Sequence, residues 1–322
     1  MDALRGMALV LVVFDHAIRF TEIYAGGVPE PAGFFSQMLN PLRMPAMVFL
    51  SGMLLHASLA KGPAVYVGGK VRNVLYPYLL WSVVYVTLFL LASPVTGGEH
   101  RLRDYLQILY LPPAHLWFLH NLFLFYLLML VLRPVPRLVL AAGGFAAALA
   151  VPEPMEVSRF CFLFAFFALG DAAGRRAGTW ERIKAAPPAV GAGLLLASGL
   201  AWAAWAGLEL RYQVAGVPFV LGGLLALVLL AEGVCRTAAS TVLRHIGRNS
   251  LTLYVLHWLA IAAAAVPLGR VLPPGSEGVM LALTFAAGLL GSLALAWAAR
   301  RIGPTWLFAL PRVPKRRLAH AD

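Results

Sequence analysis

Charged residues are scarce in this chain. Asp, Glu, Lys and Arg together make up 12% of its 322 residues, whereas hydrophobic residues make up 61%. A soluble domain carries about 25% charged residues, because water must solvate its surface. The mean hydropathy of +0.79 leaves too few polar side chains for such a surface. The composition therefore excludes a largely soluble protein and predicts an integral membrane protein.

Cysteine is scarce too. Cys161 lies in an apolar run and Cys235 beside a basic segment. Two cysteines offer neither a disulfide framework nor the spacing of a zinc site, so we expect structural thiols and no bound metal. We also expect no cleavable signal peptide, because Asp15 and His16 interrupt the first apolar run. This segment is predicted to remain as the first membrane helix.

Long apolar runs are plentiful, and about 20 such residues cross the hydrocarbon core as a helix. Proline, glycine and charged residues separate the runs. We predict an all-α, polytopic membrane protein with about ten transmembrane helices. Residues 1–322 would form one domain, with a basic cytoplasmic tail from about 300 to 322. The predicted spans are 3–20, 37–60, 74–93, 115–132, 137–151, 157–174, 187–207, 214–232, 250–269 and 279–299.

The net charge of +12 is not arranged for nucleic acid. Its basic residues lie in short segments between apolar runs, not on one face interleaved with aromatics, so we expect no nucleic-acid partner. If the N-terminus is cytoplasmic, most of the basic residues lie on the cytoplasmic side of the membrane, as is usual for membrane proteins. The distribution predicts a multi-pass membrane protein with both termini in the cytoplasm.

The first predicted helix carries ionisable residues that a bilayer disfavours, and such residues mark functional sites by default. Arg5 and His16 are separated by about three turns, which places them on one face about 16 Å apart. Arg5 alone could be a snorkelling anchor, and His16 alone could be a bonded core histidine. Asp15 lies about 100° from His16 and is better explained by an i,i+4 pair with Arg19.

The order of motifs resembles the acyltransferase-3 family of bacterial membrane acyltransferases. The resemblance covers nearly the whole chain and implies a multi-pass protein of the bacterial cytoplasmic membrane. Four motifs carry it: Asp2-Ala3-Leu4-Arg5-Gly6-Met7-Ala8 followed by His16; Phe49-Leu50-Ser51-Gly52; Leu116-Trp117-Phe118-Leu119; and Gly247, Asn249, Ser250, Tyr254 and His257. Two features depart from the family pattern. Lys70 and Asn73, with Arg72 beside them, replace an Arg-x-x-Arg, and Met1 directly precedes the opening Asp2.

The resemblance implies transfer of an acyl group from cytoplasmic acyl-CoA, with acetyl-CoA the expected donor, to an extracytoplasmic hydroxyl. An imidazole has an ordinary pKa near 6.5, which suits a base that deprotonates a hydroxyl. His16 is therefore the predicted base, although a transient acyl-histidine is an alternative. His257 and His120 are rival bases. Arg5, Lys70 and Arg72 are predicted to bind the CoA phosphates.

Asn121, Ser51 and Asn249 are candidates to stabilise an oxyanion or to orient His16. Close helix packing explains Ser51 and Gly52 equally well, and Trp117 could belong to an aromatic belt.

Two other classes remain open at this stage. A transporter or flippase would use the polar stripe as a solute path, and a scaffold would leave the buried ionisable residues unexplained. The acceptor could be a carbohydrate, a glycolipid or a small molecule, and the sequence does not set the oligomeric state.

Overall fold

A computed structural model describes residues 1–96, 99–151, 155–302 and 305–311. Over these ranges the elements are helices and there is no strand, as the apolar runs predicted. The α-helices are α1 (Asp2–Ala25), α2 (Glu30–Met53), α3 (Leu55–Leu59), α4 (Pro63–Lys70), α5 (Tyr76–Thr96), α6 (Asp104–Gln107), α7 (Trp117–Val131), α8 (Arg137–Ala150), α9 (Met155–Arg175), α10 (Ala177–Lys184), α11 (Pro187–Trp205), α12 (Val217–Val234), α13 (Ala239–Arg248), α14 (Ser250–Val271), α15 (Glu277–Ala286) and α16 (Ser292–Ile302).

Local sequence explains several helix ends. α1 stops at Gly26, whose φ of 78° is the left-handed conformation that glycine adopts at helix C-termini. Its N–H donates to the Glu22 carbonyl. α2, α11 and α12 each begin with proline in the first turn, where a missing N–H costs nothing. Two π-helical turns, Val71–Leu75 and Ala287–Gly291, join α4 to α5 and α15 to α16.

Seven helical stretches are long and apolar enough to cross a membrane. They correspond to seven of the ten predicted spans. α1 and α2 each have 24 residues but carry too much polarity for that criterion. The predicted span 137–151 matches α8, which has only 14 residues. The structure therefore confirms an all-α, multi-pass protein with seven candidate membrane spans, and the predicted count of about ten stays a prediction.

Two predicted boundaries are wrong. The span 37–60 begins earlier, at Glu30, and α2 ends at Met53 before the short α3. The predicted span 74–93 also begins earlier. Its helix starts at Pro63 and continues through the polar stretch from Lys70 to Asn73, which had been placed outside the span. Long cationic side chains can extend from a helix into the interface, so their charge does not require the helix to end. Most of the predicted tail, 312–322, lies outside the described residues.

The chain divides into two compact units. The first comprises Met1–Pro63 and Phe125–Ala296, and the second comprises Ala64–Leu124 and Trp297–Asp322.

Glycines let helices of the first unit approach backbone to backbone. A Cβ on Gly6 would lie 2.1 Å from the Leu243 carbonyl oxygen, so α1 packs directly on α13. A Cβ on Gly52 would lie 2.1 Å from the Phe167 oxygen, at the contact of α2 with α9. These separations are far below van der Waals contact, so only glycine fits. Close packing therefore explains Gly6 and Gly52 within their motifs.

The second unit is joined by side-chain bonds to backbone. The Tyr78 hydroxyl donates to the Ile108 carbonyl. The Trp81 indole N–H donates to the Leu307 carbonyl at 2.8 Å, and its ring stacks on Phe308. These bonds connect α5 both to the segment before α7 and to residues 305–308.

Candidate active site

Two histidines from distant parts of the chain meet in the first unit. His16 on α1 and His257 on α14 have ring centroids 4.9 Å apart, with ring planes inclined by 77°. Nδ1 of His16 lies 2.9 Å from the Val12 carbonyl oxygen. Nδ1 of His257 lies 3.2 Å from the Leu253 carbonyl oxygen. A carbonyl only accepts, so each Nδ1 carries a proton and Nε2 is the basic nitrogen of the neutral ring.

The two histidines differ in accessibility. His16 is half-buried, whereas His257 is 0% exposed. A base must reach the proton that it removes, so His16 is the member of this pair that a substrate can contact. The Tyr254 ring also packs against His257, with the two ring centroids 5.7 Å apart. We interpret His257 as a residue that positions His16.

A hydrogen-bonded charge network begins at the residue before His16. The predicted pair exists, because Arg19 Nε lies 3.2 Å from Asp15 Oδ2. Arg43 from α2 approaches the other oxygen, with Nη2 2.8 Å from Asp15 Oδ1. Arg43 also donates to Ser36 Oγ at 3.0 Å and to Asn40 Oδ1 at 2.8 Å. The network ties α2 to α1 beside the candidate base.

Arg43 was not among the candidate residues that the sequence indicated. Arg43 is 4% exposed and lies within electrostatic range of His16. The available signal was the charge itself, since an arginine inside an apolar helix requires a partner. Spacing alone could not identify that partner, which lies on another helix.

Arg5 lies on the same helix as His16, and α1 is unbroken between them. The predicted geometry therefore holds, with about 16 Å of helix separating the two residues. Arg5 Nη1 lies 3.9 Å from Asp2 Oδ1, and Arg248 Nε lies 3.2 Å from Asp2 Oδ2. Buried Tyr126 is within electrostatic range of Arg5. Two guanidiniums thus share one carboxylate at this end of α1, and the local charge is positive.

Ser51 and Asn249 each have a partner within their own chain segment. Ser51 Oγ donates to the Met47 carbonyl at 2.9 Å, and Asn249 Nδ2 donates to the His245 carbonyl at 2.8 Å. Such bonds to the preceding turn are typical of structural serines and of residues at helix ends. These contacts favour the structural interpretation of both residues over a role at an oxyanion.

The predicted phosphate-binding residues Lys70 and Arg72 lie in the second unit. The Lys70 ammonium lies 5.4 Å from the centroid of the Tyr66 ring. Arg72 Nε donates to the Leu310 carbonyl at 2.6 Å. Arg72 therefore also anchors backbone near the end of the described chain, a role that the sequence did not reveal.

Trp117 and Asn121 lie on α7, in the second unit. Trp117 makes an edge contact with Phe118, with centroids 6.4 Å apart. His120 Nε2 lies 3.2 Å from the Leu109 carbonyl oxygen. Asn121 Oδ1 lies 3.4 Å from His120 Nδ1. Both of these oxygens are acceptors, so a neutral His120 ring can donate to only one of them.

A cavity of about 360 Å³ opens in the first unit beside the start of α1, where Met1 and Leu4 line it. Lys184 at its edge contacts Glu181 at 2.9 Å and also Glu232. The hydrogen bond to Glu232 raises the pKa of Lys184. Because two carboxylates surround this cation, it is less suited to phosphate than Arg5. No group of three His, Cys, Asp or Glu in the described ranges could hold a metal ion.

A buried cluster of charged residues was not predicted from the sequence. Asp171 on α9 is 0% exposed. Its Oδ2 lies 2.6 Å from Arg137 Nε and 2.9 Å from Arg175 Nε. Arg137 also donates to the carbonyls of Leu132 and Val135, which closes the turn before α8. We assign this cluster to folding, since its bonds join helix ends.

Comparison with known proteins agrees with the motifs. The acyltransferase-3 family model, described as an acyltransferase domain, matches residues 1–301. The chain belongs to the acyltransferase-3 family. Membership identifies it as an acyltransferase, and the helices agree with a membrane protein of this family. Neither the curated proteins nor the solved structures include a match.

Proposed function

We propose that the protein transfers an acyl group, with acetyl expected, from cytoplasmic acyl-CoA to a hydroxyl outside the cytoplasmic membrane. The hydroxyl belongs to a carbohydrate, a glycolipid or a small molecule. The observation that carries the proposal is the His16 imidazole, half-buried and with Nδ1 held by a carbonyl. Family membership supplies the reaction class.

The proposed reaction needs one base. His16 Nε2 takes the proton from the acceptor hydroxyl as the oxygen attacks the thioester carbonyl carbon. The carbon–sulfur bond then breaks, and the CoA sulfur leaves with the electron pair and takes the proton from His16. A thioester is already activated, so proton transfer and positioning are the main contributions required of the protein.

Consumption of acyl-CoA tests this proposal against the transporter alternative. We expect the purified protein in nanodiscs to release free CoA only when a hydroxyl acceptor is supplied. A transporter would move solute across a liposome membrane at a rate independent of acyl-CoA. Solute movement without acyl-CoA, together with no CoA release over a broad acceptor panel, would contradict the acyltransferase proposal.

CoA is proposed to bind through its phosphates to Lys70 and Arg72 of the second unit. We expect Lys70→Ala to weaken acyl-CoA binding by about 1–3 kcal/mol, the range for a lost charge-assisted hydrogen bond. The rate of transfer from bound donor should change little. Isothermal titration with acyl-CoA measures the affinity, and single-turnover kinetics measure the transfer.

The matched control for that experiment is Arg103→Ala, which removes an exposed cation of the second unit on the predicted outer side. It should leave the affinity unchanged. Equal weakening in both variants would indicate a general charge effect, and unchanged affinity with lost turnover in Lys70→Ala would exclude Lys70 as a phosphate ligand.

The proposed topology has ten membrane crossings, with α1, α2 and α8 added to the seven apolar spans, and both termini in the cytoplasm. It is tested with single cysteines in a background without the native ones. An impermeant maleimide added to intact cells should label positions 22 and 277 and spare positions 61 and 176. Labelling at position 61 from outside would show that the proposed orientation is wrong.

A further inference from the structure

Two arginines contact one carboxylate of the first unit, and a third arginine lies near one of them. Arg19 and Arg43 contact the two oxygens of Asp15, and Arg211 lies within electrostatic range of Arg43. Within the described ranges, the Arg211 guanidinium forms no ion pair. Glu209 accepts a bond from the Arg211 backbone N–H at 2.8 Å, and its carboxylate does not pair with the guanidinium. Like charges repel, so an added anion would stabilise this group.

Tyr212 supplies a hydrogen-bond donor at the same place. It is 6% exposed, and its buried hydroxyl has no hydrogen-bond partner among the described residues. The hydroxyl is within electrostatic range of Arg43, and the Arg211 guanidinium lies 5.0 Å from the ring centroid. The backbone φ of 59° is uncommon for an aromatic residue. A buried hydroxyl is costly unless it bonds, so this one favours an acceptor atom beside the guanidiniums.

The position of this group relates it to the candidate base. Arg19 and Arg43 are within electrostatic range of His16, and Asp15 precedes His16 in α1. We propose that Arg43, Arg211 and Tyr212 bind an oxyanion, a carboxylate or a phosphate, on the acceptor whose hydroxyl His16 deprotonates. This inference rests on the proposed function for its role in catalysis. An acceptor held by its anionic group would have less orientational freedom at His16.

Binding of simple oxyanions tests the subsite without turnover. The full-length protein in detergent is titrated with inorganic phosphate or with acetate, at constant ionic strength maintained by chloride. A ligand that binds the folded state raises the thermal unfolding temperature, and the concentration dependence gives an apparent affinity. We expect Arg211→Gln to weaken that affinity about tenfold or more, and Tyr212→Phe about threefold. Arg43 is left intact, because its burial makes a folding defect the expected result.

Two controls separate this inference from the proposed function. Arg270→Gln removes one exposed cation of the first unit and should keep the full oxyanion effect. His16→Ala should keep it too, although it loses turnover. If His16→Ala keeps turnover while Arg211→Gln loses the oxyanion effect, the assigned base is wrong and the subsite stands.

The two anions identify the ligand group. A shift with phosphate alone assigns a phosphoryl group, and a shift with acetate assigns a carboxylate site. No shift in the wild type with either anion, or equal shifts in the wild type, Arg211→Gln and Tyr212→Phe, would overturn the proposal.

Discussion

Asp171→Ala is expected to lower the free energy of unfolding by about 3–5 kcal/mol, the usual cost of removing one partner of a buried ion pair. Asp171 is 0% exposed, and Arg137, which bonds it at 2.6 Å, is itself buried. Without the carboxylate, the Arg137 guanidinium would remain in the helix bundle without its counter-ion. Thermal unfolding of purified protein in one detergent, followed by size-exclusion chromatography, measures the change.

Glu181→Ala is the matched control for Asp171→Ala. Glu181 also pairs with a cation, Lys184, but its side chain is 71% exposed. Exposed ion pairs contribute up to about 1 kcal/mol, so this variant should unfold close to the wild type. A loss of stability in Asp171→Ala no larger than in Glu181→Ala would show that the cluster is not structurally important.

The helical periodicity of the sequence was sufficient to predict which residues of a single helix lie close together. Arg5 and His16 were predicted to share a face, and α1 is an unbroken helix that places them so. The Asp15–Arg19 pair was predicted for the same reason and is present. Such predictions succeed because helical geometry relates residues a few turns apart without knowledge of any other helix.

Contacts between different helices could not be predicted from periodicity. The motifs named His257, but its contact with His16 depends on how α14 packs against α1. The partners of Arg43 and Asp171 likewise depend on which helix faces meet. Close approaches at glycines such as Gly52 set those faces, and no periodicity identifies the partner helix. The helical path through Lys70 and Arg72 was also missed, because charge was taken to mark a connection.

His16→Ala is expected to lower the rate of acyl transfer by about 10²–10⁴-fold, the usual contribution of a positioned base. The imidazole is half-buried, and its Nδ1 proton is held by the Val12 carbonyl. The variant removes the basic Nε2, and the Nδ1 bond that is lost with it lies within α1. Membrane insertion, thermal stability and acyl-CoA binding should remain close to those of the wild type.

The other two histidines provide the controls. His257→Ala should retain more activity per folded molecule than His16→Ala, although the loss of a fully buried ring should lower stability. His120→Ala should retain more activity as well, because both of its ring nitrogens already face acceptor oxygens, those of Leu109 and Asn121. Each variant is compared with the wild type after the folded fraction has been measured.

The most direct test of the account is CoA release by His16→Ala, measured on the same nanodisc sample that is used to titrate acyl-CoA binding. We expect wild-type affinity for acyl-CoA together with release of free CoA reduced by at least about 10²-fold. Wild-type release by His16→Ala would contradict the assignment of the base. Loss of release confined to His257→Ala would place the base on α14 instead.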